Sequence, residues 1–195
     1  MMKWMTLFAL CVTQTALAEL SRPDFHRLVY ALHEQQFARQ AVRTDEENGA
    51  YNGSAAAGYR YRETRYYDLE TGRLLSRIRR DAGAPEAIHI AEVNIYDANG
   101  RLTRDYLSIA PPWKPLHPSN AYLNLHHYNG KLHSFRQFEL DGQMNYESCE
   151  GELGGKPVRI SLSWDDINKE VTSTPEYRAC FGAMTQDWKS HIIPH

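Results

Sequence analysis

After residue 18 the sequence has no apolar run approaching the roughly 20 residues that cross a bilayer as a helix, so no membrane span is expected. Cysteine is scarce, with only Cys11, Cys149 and Cys180. An excess of one charge is missing as well: 22 Lys and Arg stand against 24 Asp and Glu, a balance that argues against a dedicated nucleic-acid binder. Hydrophobic residues at 42% and charged residues at 24% exclude a disordered or collagen-like chain. Catalytic signatures are lacking too. His33-Glu34-Gln35-Gln36 is followed by Phe37, so the second histidine of a zinc-protease motif is missing. No nucleophile elbow, phosphate loop or dinucleotide fingerprint occurs, and Gly154-Gly155-Lys156-Pro157 reads as a turn.

What is present begins with an address. Lys3, the apolar stretch Trp4 to Val12 and the small-residue site Ala16-Leu17-Ala18 before Glu19 have the order of a secretory signal, short enough for a bacterial exporter. The expectation is a signal peptide over 1–18 and a periplasmic or secreted, soluble mature chain forming a single domain over 19–195. Cys11 leaves with the signal. Cys149 and Cys180 then remain as an even pair in an oxidising compartment, which predicts a disulfide.

Ser21, Pro23 and Asp24 followed by Phe25, Leu28, Val29 and Leu32 at helical spacing predict one short N-terminal helix. From about Glu34 to Arg43 the pattern fits either more helix or a strand alternating through Phe37, Arg39 and Ala41, and strand is the preferred reading. Thr44 to Gly58, rich in acidic residues, glycine and alanine, reads as a mobile surface loop.

Beyond Gly58 the composition turns to tyrosine, β-branched and apolar runs separated by Asp-Gly or Asn-Gly turns, the pattern of antiparallel hairpins. Three turns are alike: Tyr67-Asp68-Leu69-Glu70-Thr71-Gly72-Arg73-Leu74, Tyr96-Asp97-Ala98-Asn99-Gly100-Arg101-Leu102 and Tyr128-Asn129-Gly130-Lys131-Leu132. In each, an aromatic closes one strand, Asp or Asn bonds the turn backbone, Gly takes a positive φ, and a basic residue with Leu opens the return strand. This Y-D-x-x-G-R-L pattern resembles the YD repeats of large secreted bacterial shell proteins of the Rhs type. The resemblance covers the first two turns, and the third after deletion of two residues; it implies local hairpin geometry and nothing about activity. The fold expected is β-rich (α+β), an antiparallel meander of hairpins forming one curved sheet beside the helix. Ala87 to Tyr96, rich in Ile and Val, is the candidate central strand.

A two-residue loop at Asn129-Gly130 sets His126 opposite His133, with Cβ atoms about 5 Å apart, close enough to share zinc or copper. His117, His89 or Glu147 are the candidates for a third ligand. The same count around Asp141-Gly142 sets Arg136 opposite Glu147. Two functional classes follow. The preferred one is a non-enzymatic binding or accessory module that takes an envelope protein, polymer or small ligand through tyrosine-rich faces and the Trp113 loop, with Trp113, Tyr122 and Tyr128 as binding residues. The other is a zinc- or copper-binding exported protein or hydrolase built on His126, His133 and His117.

Overall fold

The structure, a computed structural model, describes residues 20–52 and 56–192, and the expected signal peptide lies outside these. Ser21 caps the first helix by accepting the amide of Asp24 at 3.2 Å, with Pro in the first turn. That helix, α1, spans Arg22–Arg39. It thus runs through Glu34–Arg39 of the segment for which a strand was preferred, leaving only Val42 and Arg43 of that segment in a strand. Glu34, Gln35, Gln36, Ala38 and Arg39 are all good helix formers, and their intrinsic preference outweighs a three-point alternation. Gln36 Nε2 also donates to the Asn94 carbonyl at 2.8 Å, and Phe37 meets Tyr66 edge to face.

The strands follow in an antiparallel meander: β1 Val42–Ala50, β2 Arg60–Asp68, β3 Leu74–Asp81, β4 Ile88–Tyr96, β5 Leu102–Ile109, β6 Asn120–Asn129, β7 Leu132–Glu139, β8 Met144–Leu153 and β9 Lys156–Ser163. They form one sheet of nine strands in sequence order. The segment read as a loop from Thr44 is therefore strand β1 as far as Ala50. It is an edge strand with nearly every side chain exposed, so it carries no alternating signal, and charged residues are what a sheet edge uses to stay in water.

The hairpin turns match expectation. Gly72, Gly100, Gly130 and Gly142 take φ of 69°, 76°, 58° and 91°. Asp97 Oδ1 accepts the amides of Asn99 and Arg101, and Asp68 Oδ1 that of Thr71. At the third turn the loop sits one residue later than expected, which moves each cross-strand partner by two residues and leaves the faces unchanged. Asn129 pairs with Leu132 and Tyr128 with His133, so His126 faces Phe135 directly. Gly130 is the first residue of the loop, with no positive φ at Lys131, the arrangement of a type II′ hairpin. Asn129 is held in the strand by its side-chain amide, which donates to the Ala179 carbonyl at 3.0 Å.

Helix α1 and, after the sheet, a helix near the C-terminus cover the same face of the sheet. α1 lays Phe25, Val29 and Leu32 on Ile78, Ala91, Val93, Tyr106, Leu123, Leu125 and Phe138, each such side chain contributing on the order of 1.5–3 kcal/mol by burial. Two buried histidines fix the docking: His26 Nδ1 lies 2.9 Å from Ser108 Oγ and His33 Nδ1 2.7 Å from Ser76 Oγ. After β9 come a short 3₁₀ turn at Trp164–Asp166, α2 Lys169–Thr172 and α3 Pro175–Phe181. α3 packs Tyr177, Cys180 and Phe181 on Leu132, Cys149 and Val158, and the expected Cys149–Cys180 disulfide is present, with Cα atoms 6.0 Å apart.

Beneath α3 a polar knot joins four segments. Arg136 and Glu147, paired as expected, are 2% and 0% exposed, and Arg136 Nε donates to Glu147 Oε1 at 2.6 Å. Tyr177 Oη donates to Glu147 Oε2 at 2.8 Å, and Arg136 Nη1 donates to the carbonyls of Met184 and Thr185. Burial, with the Glu147 charge beside it, pushes the Tyr177 hydroxyl up to about 12.

Candidate functional site

Strand β7 shows how the two faces differ. Leu132, Ser134, Arg136 and Phe138 are buried under the helices, whereas His133, Phe135, Gln137 and Glu139, pointing the other way, are half-exposed. Register carries that second face across the sheet. Tyr122, Asn124, His126 and Tyr128 of β6 share it with Asp105 of β5, Tyr146 and Ser148 of β8, and Ser161 of β9.

Among the described residues these side chains bond to one another rather than to a covering element. Asp105 Oδ2 lies 2.9 Å from His126 Nε2, and His126 Nδ1 lies 3.0 Å from His133 Nε2. Because an ionised carboxylate only accepts, His126 Nε2 carries the proton, and in the neutral pair its Nδ1 accepts from His133 Nε2–H. The two imidazoles are nearly parallel, at 4°, and Tyr128 stacks on His133 with centroids 4.7 Å apart. Burial, reinforced by the neighbouring His126, lowers the His133 pKa from its ordinary value, while Glu150 opposes the shift. A second chain starts on the other oxygen of Asp105: Asn124 Nδ2 donates to it at 2.7 Å, Gln137 Nε2 to Asn124 Oδ1 at 3.1 Å, and Asn145 Nδ2 to Gln137 Oε1 at 2.9 Å. Both chains are thereby held in one arrangement before any ligand arrives.

Beside the histidine pair the face dips into a cavity of about 390 Å³, lined among others by His133, Phe135, Tyr146, Glu150, Arg159 and Ser161. Tyr146 Oη and Ser161 Oγ are 2.7 Å apart across it. Aromatic rings, hydroxyls and one charge of each sign thus surround a shallow concavity within the range of volumes that hold small ligands or short polymer segments.

The residues singled out from sequence separate into three groups. His126 and His133 do come together, by a diagonal contact rather than the direct pairing expected. Tyr128 joins them, and Tyr122 lies on the same face of β6, its hydroxyl accepting from Asn120 Nδ2 at 2.7 Å. Trp113, 45% exposed, sits elsewhere, in the β5–β6 loop against Tyr59. None of the proposed third ligands reaches the pair. His117 is exposed before the start of β6, roughly 20 Å along the strand from His126 at about 3.4 Å per residue. Glu147 is buried on the opposite face with Arg136, and His89 is buried with its Nδ1 3.0 Å from Tyr51 Oη. Among the described residues no group of three or more His, Cys, Asp or Glu is placed to hold a metal ion. Sequence reasoning missed Asp105, Asn124, Phe135 and Gln137. The signal that reaches them is parity: once His126 is placed on a face, Asn124 two residues before it must share that face.

No family model matches the chain, and no curated protein and no solved structure shows significant similarity to it.

Proposed function

We propose that this chain is an exported, non-enzymatic binding module, acting in the periplasm or outside the cell, that recognises an extended polar polymer of the cell envelope on the uncovered face of β5–β9. The single observation that carries this reading is the pre-bonded lattice of Asp105, His126, His133, Asn124 and Gln137 ending at the cavity lined by Phe135, Tyr146 and Ser161. Amides and hydroxyls fixed in place lose little freedom on binding, and half-exposed rings add apolar contact area. The test is titration of the mature protein with soluble envelope glycan and peptide fragments. Saturable binding that Tyr146→Ala weakens by about tenfold, while Trp164→Ala leaves it unchanged, is the expected result. Equal affinities for the two variants would exclude this face.

A second reading rests on the 3.0 Å separation of His126 Nδ1 and His133 Nε2, with Asp105 behind His126 as a metal-bound histidine is commonly supported. Zinc or copper would take the place of the shared proton. Metal analysis of the purified mature protein discriminates: stoichiometric zinc or copper, lost in His133→Ala, supports the metal reading, and protein free of metal after exposure to either ion removes it.

A further inference from the structure

On the helix-covered face, α1 and the segment that follows α3 leave a gap above the ends of β5 and β6. The gap is a cavity of about 500 Å³ whose lining includes Arg104, Leu125, His127, Met184, Thr185 and His191. Its floor is the cross-strand row in which Arg104 pairs with Leu125 and Leu125 with Arg136. Its roof is the C-terminal segment, held down where Tyr106 Oη donates to the His191 carbonyl at 2.6 Å and where Arg136 donates to the carbonyls of Met184 and Thr185. The Cys149–Cys180 bridge anchors the chain three residues before Ala183 enters the lining.

The charges in this cavity are one-sided. Among the described residues no Asp or Glu lines it. Arg136 on the same row is neutralised by Glu147, whereas among the described residues no carboxylate pairs with Arg104, which lies beside the Tyr106 hydroxyl. Arg104 also borders an adjoining cavity of about 380 Å³ with Arg39 and Arg73; the one acid there, Asp68, already accepts from the amide and hydroxyl of Thr71. A guanidinium lining a partly apolar cavity, with the Thr185 hydroxyl beside it accepting the Asp187 amide and keeping its own proton to donate, has the donor set for a bidentate oxyanion and the surface for an attached apolar group.

We propose that this cavity binds a small organic oxyanion, a carboxylate or phosphate monoester carrying a group about the size of one or two aromatic rings, with Arg104 as the anchoring residue and Leu125 and Met184 against the apolar part. The site is on the opposite face from the polymer surface proposed above and does not depend on that reading.

The experiment uses three probes with the same ring system on the mature, disulfide-intact protein: 2-naphthoate, 2-naphthyl phosphate and the neutral 2-naphthalenemethanol. Binding is followed by probe fluorescence and by the methyl signals of Met144 and Met184, the two methionines that follow residue 18. The expected result is saturable binding of at least one anion, about tenfold tighter than the alcohol, with the Met184 methyl shifting and the Met144 methyl still. Arg104→Gln should bring the anion down to the affinity of the alcohol. Should that variant fail to fold, Arg104→Lys, which keeps the charge and loses the fork, should weaken the anion several-fold without changing the alcohol. The tighter of the two anions identifies carboxylate or phosphate as the natural group. Equal affinity for anion and alcohol, unchanged anion binding in either Arg104 variant, or shifts at Met144 in place of Met184 would each overturn the proposal.

Discussion

The two faces of the sheet use the same polar chemistry for opposite ends. On the covered face, His26, His33 and Arg136 reach across to other elements, bonding Ser108, Ser76 and the Glu147–Tyr177 pair, and so hold α1 and α3 in place. On the uncovered face, Asp105, His126, His133, Asn124, Gln137 and Asn145 form a bonded lattice within the sheet. Buried polar groups that tie elements together are costly to break, because the abandoned partner stays out of water. On the uncovered face the half-exposed His133 and Gln137 find water in place of a lost partner, and the buried Asp105 and Asn124 each keep a second partner within the sheet. Damage on the first face should therefore appear in stability, and damage on the second in binding.

The largest expected effect is at the buried ion pair. Arg136→Met strands the Glu147 carboxylate and should lower stability by about 3–5 kcal/mol in urea unfolding, while the double variant Arg136→Met with Glu147→Leu should recover much of that loss. Reducing the Cys149–Cys180 bridge, which spans 31 residues, should cost about 3 kcal/mol and loosen α3 first. Amide exchange in α3 against exchange in α1 measures the difference.

Acid should act on the covered face as well. Burial, with Arg80 nearby, lowers the His33 pKa from 6.5 to about 4, and burial lowers that of His26 in the same sense. The unfolded chain therefore takes up protons before the folded one does. Stability is intact above pH 6.5 and falls as pH drops toward about 4, by roughly 3 kcal/mol for His33. Urea midpoints measured between pH 7 and pH 4 should show this decline, and His33→Gln should flatten it.

Smaller still is the turn effect. Gly100→Val meets a positive φ of 76° and the guanidinium of Arg73 lying over that turn, and should cost about 1–2 kcal/mol. Gly83, whose φ is not positive, serves as the reference; Gly83→Val should leave the midpoint close to wild type. On the uncovered face, Tyr146→Ala removes one cross-strand contact and should cost about 1 kcal/mol or less. A larger loss there than at Arg136 would erase the distinction between the faces.

The parts of this arrangement that sequence made legible are those set by local chemistry. Asp97 and Gly100 dictate their turn whatever surrounds them, and the strands on either side of it begin and end within a residue of where alternation and turn residues put them. The missed parts depend on what lies across the sheet. β1 buries nothing, so its acidic residues look the same in a loop as at an edge. The slip at Gly130 turns on a bond from Asn129 to Ala179, fifty residues away. The site followed the same rule: His126 and His133 were visible as a pair across one hairpin, but Asp105 belongs to a neighbouring hairpin, and no local pattern links it to them.

The most direct test of the central claim is a chemical-shift map of the mature protein titrated with soluble envelope polymer fragments. The account predicts perturbations centred on Tyr128, His133, Phe135, Tyr146 and Ser161, with the α1 residues Val29 and His33 unmoved. Perturbations confined to the helix-covered face or to the edge strand β1, with Phe135 and Tyr146 silent, would contradict it.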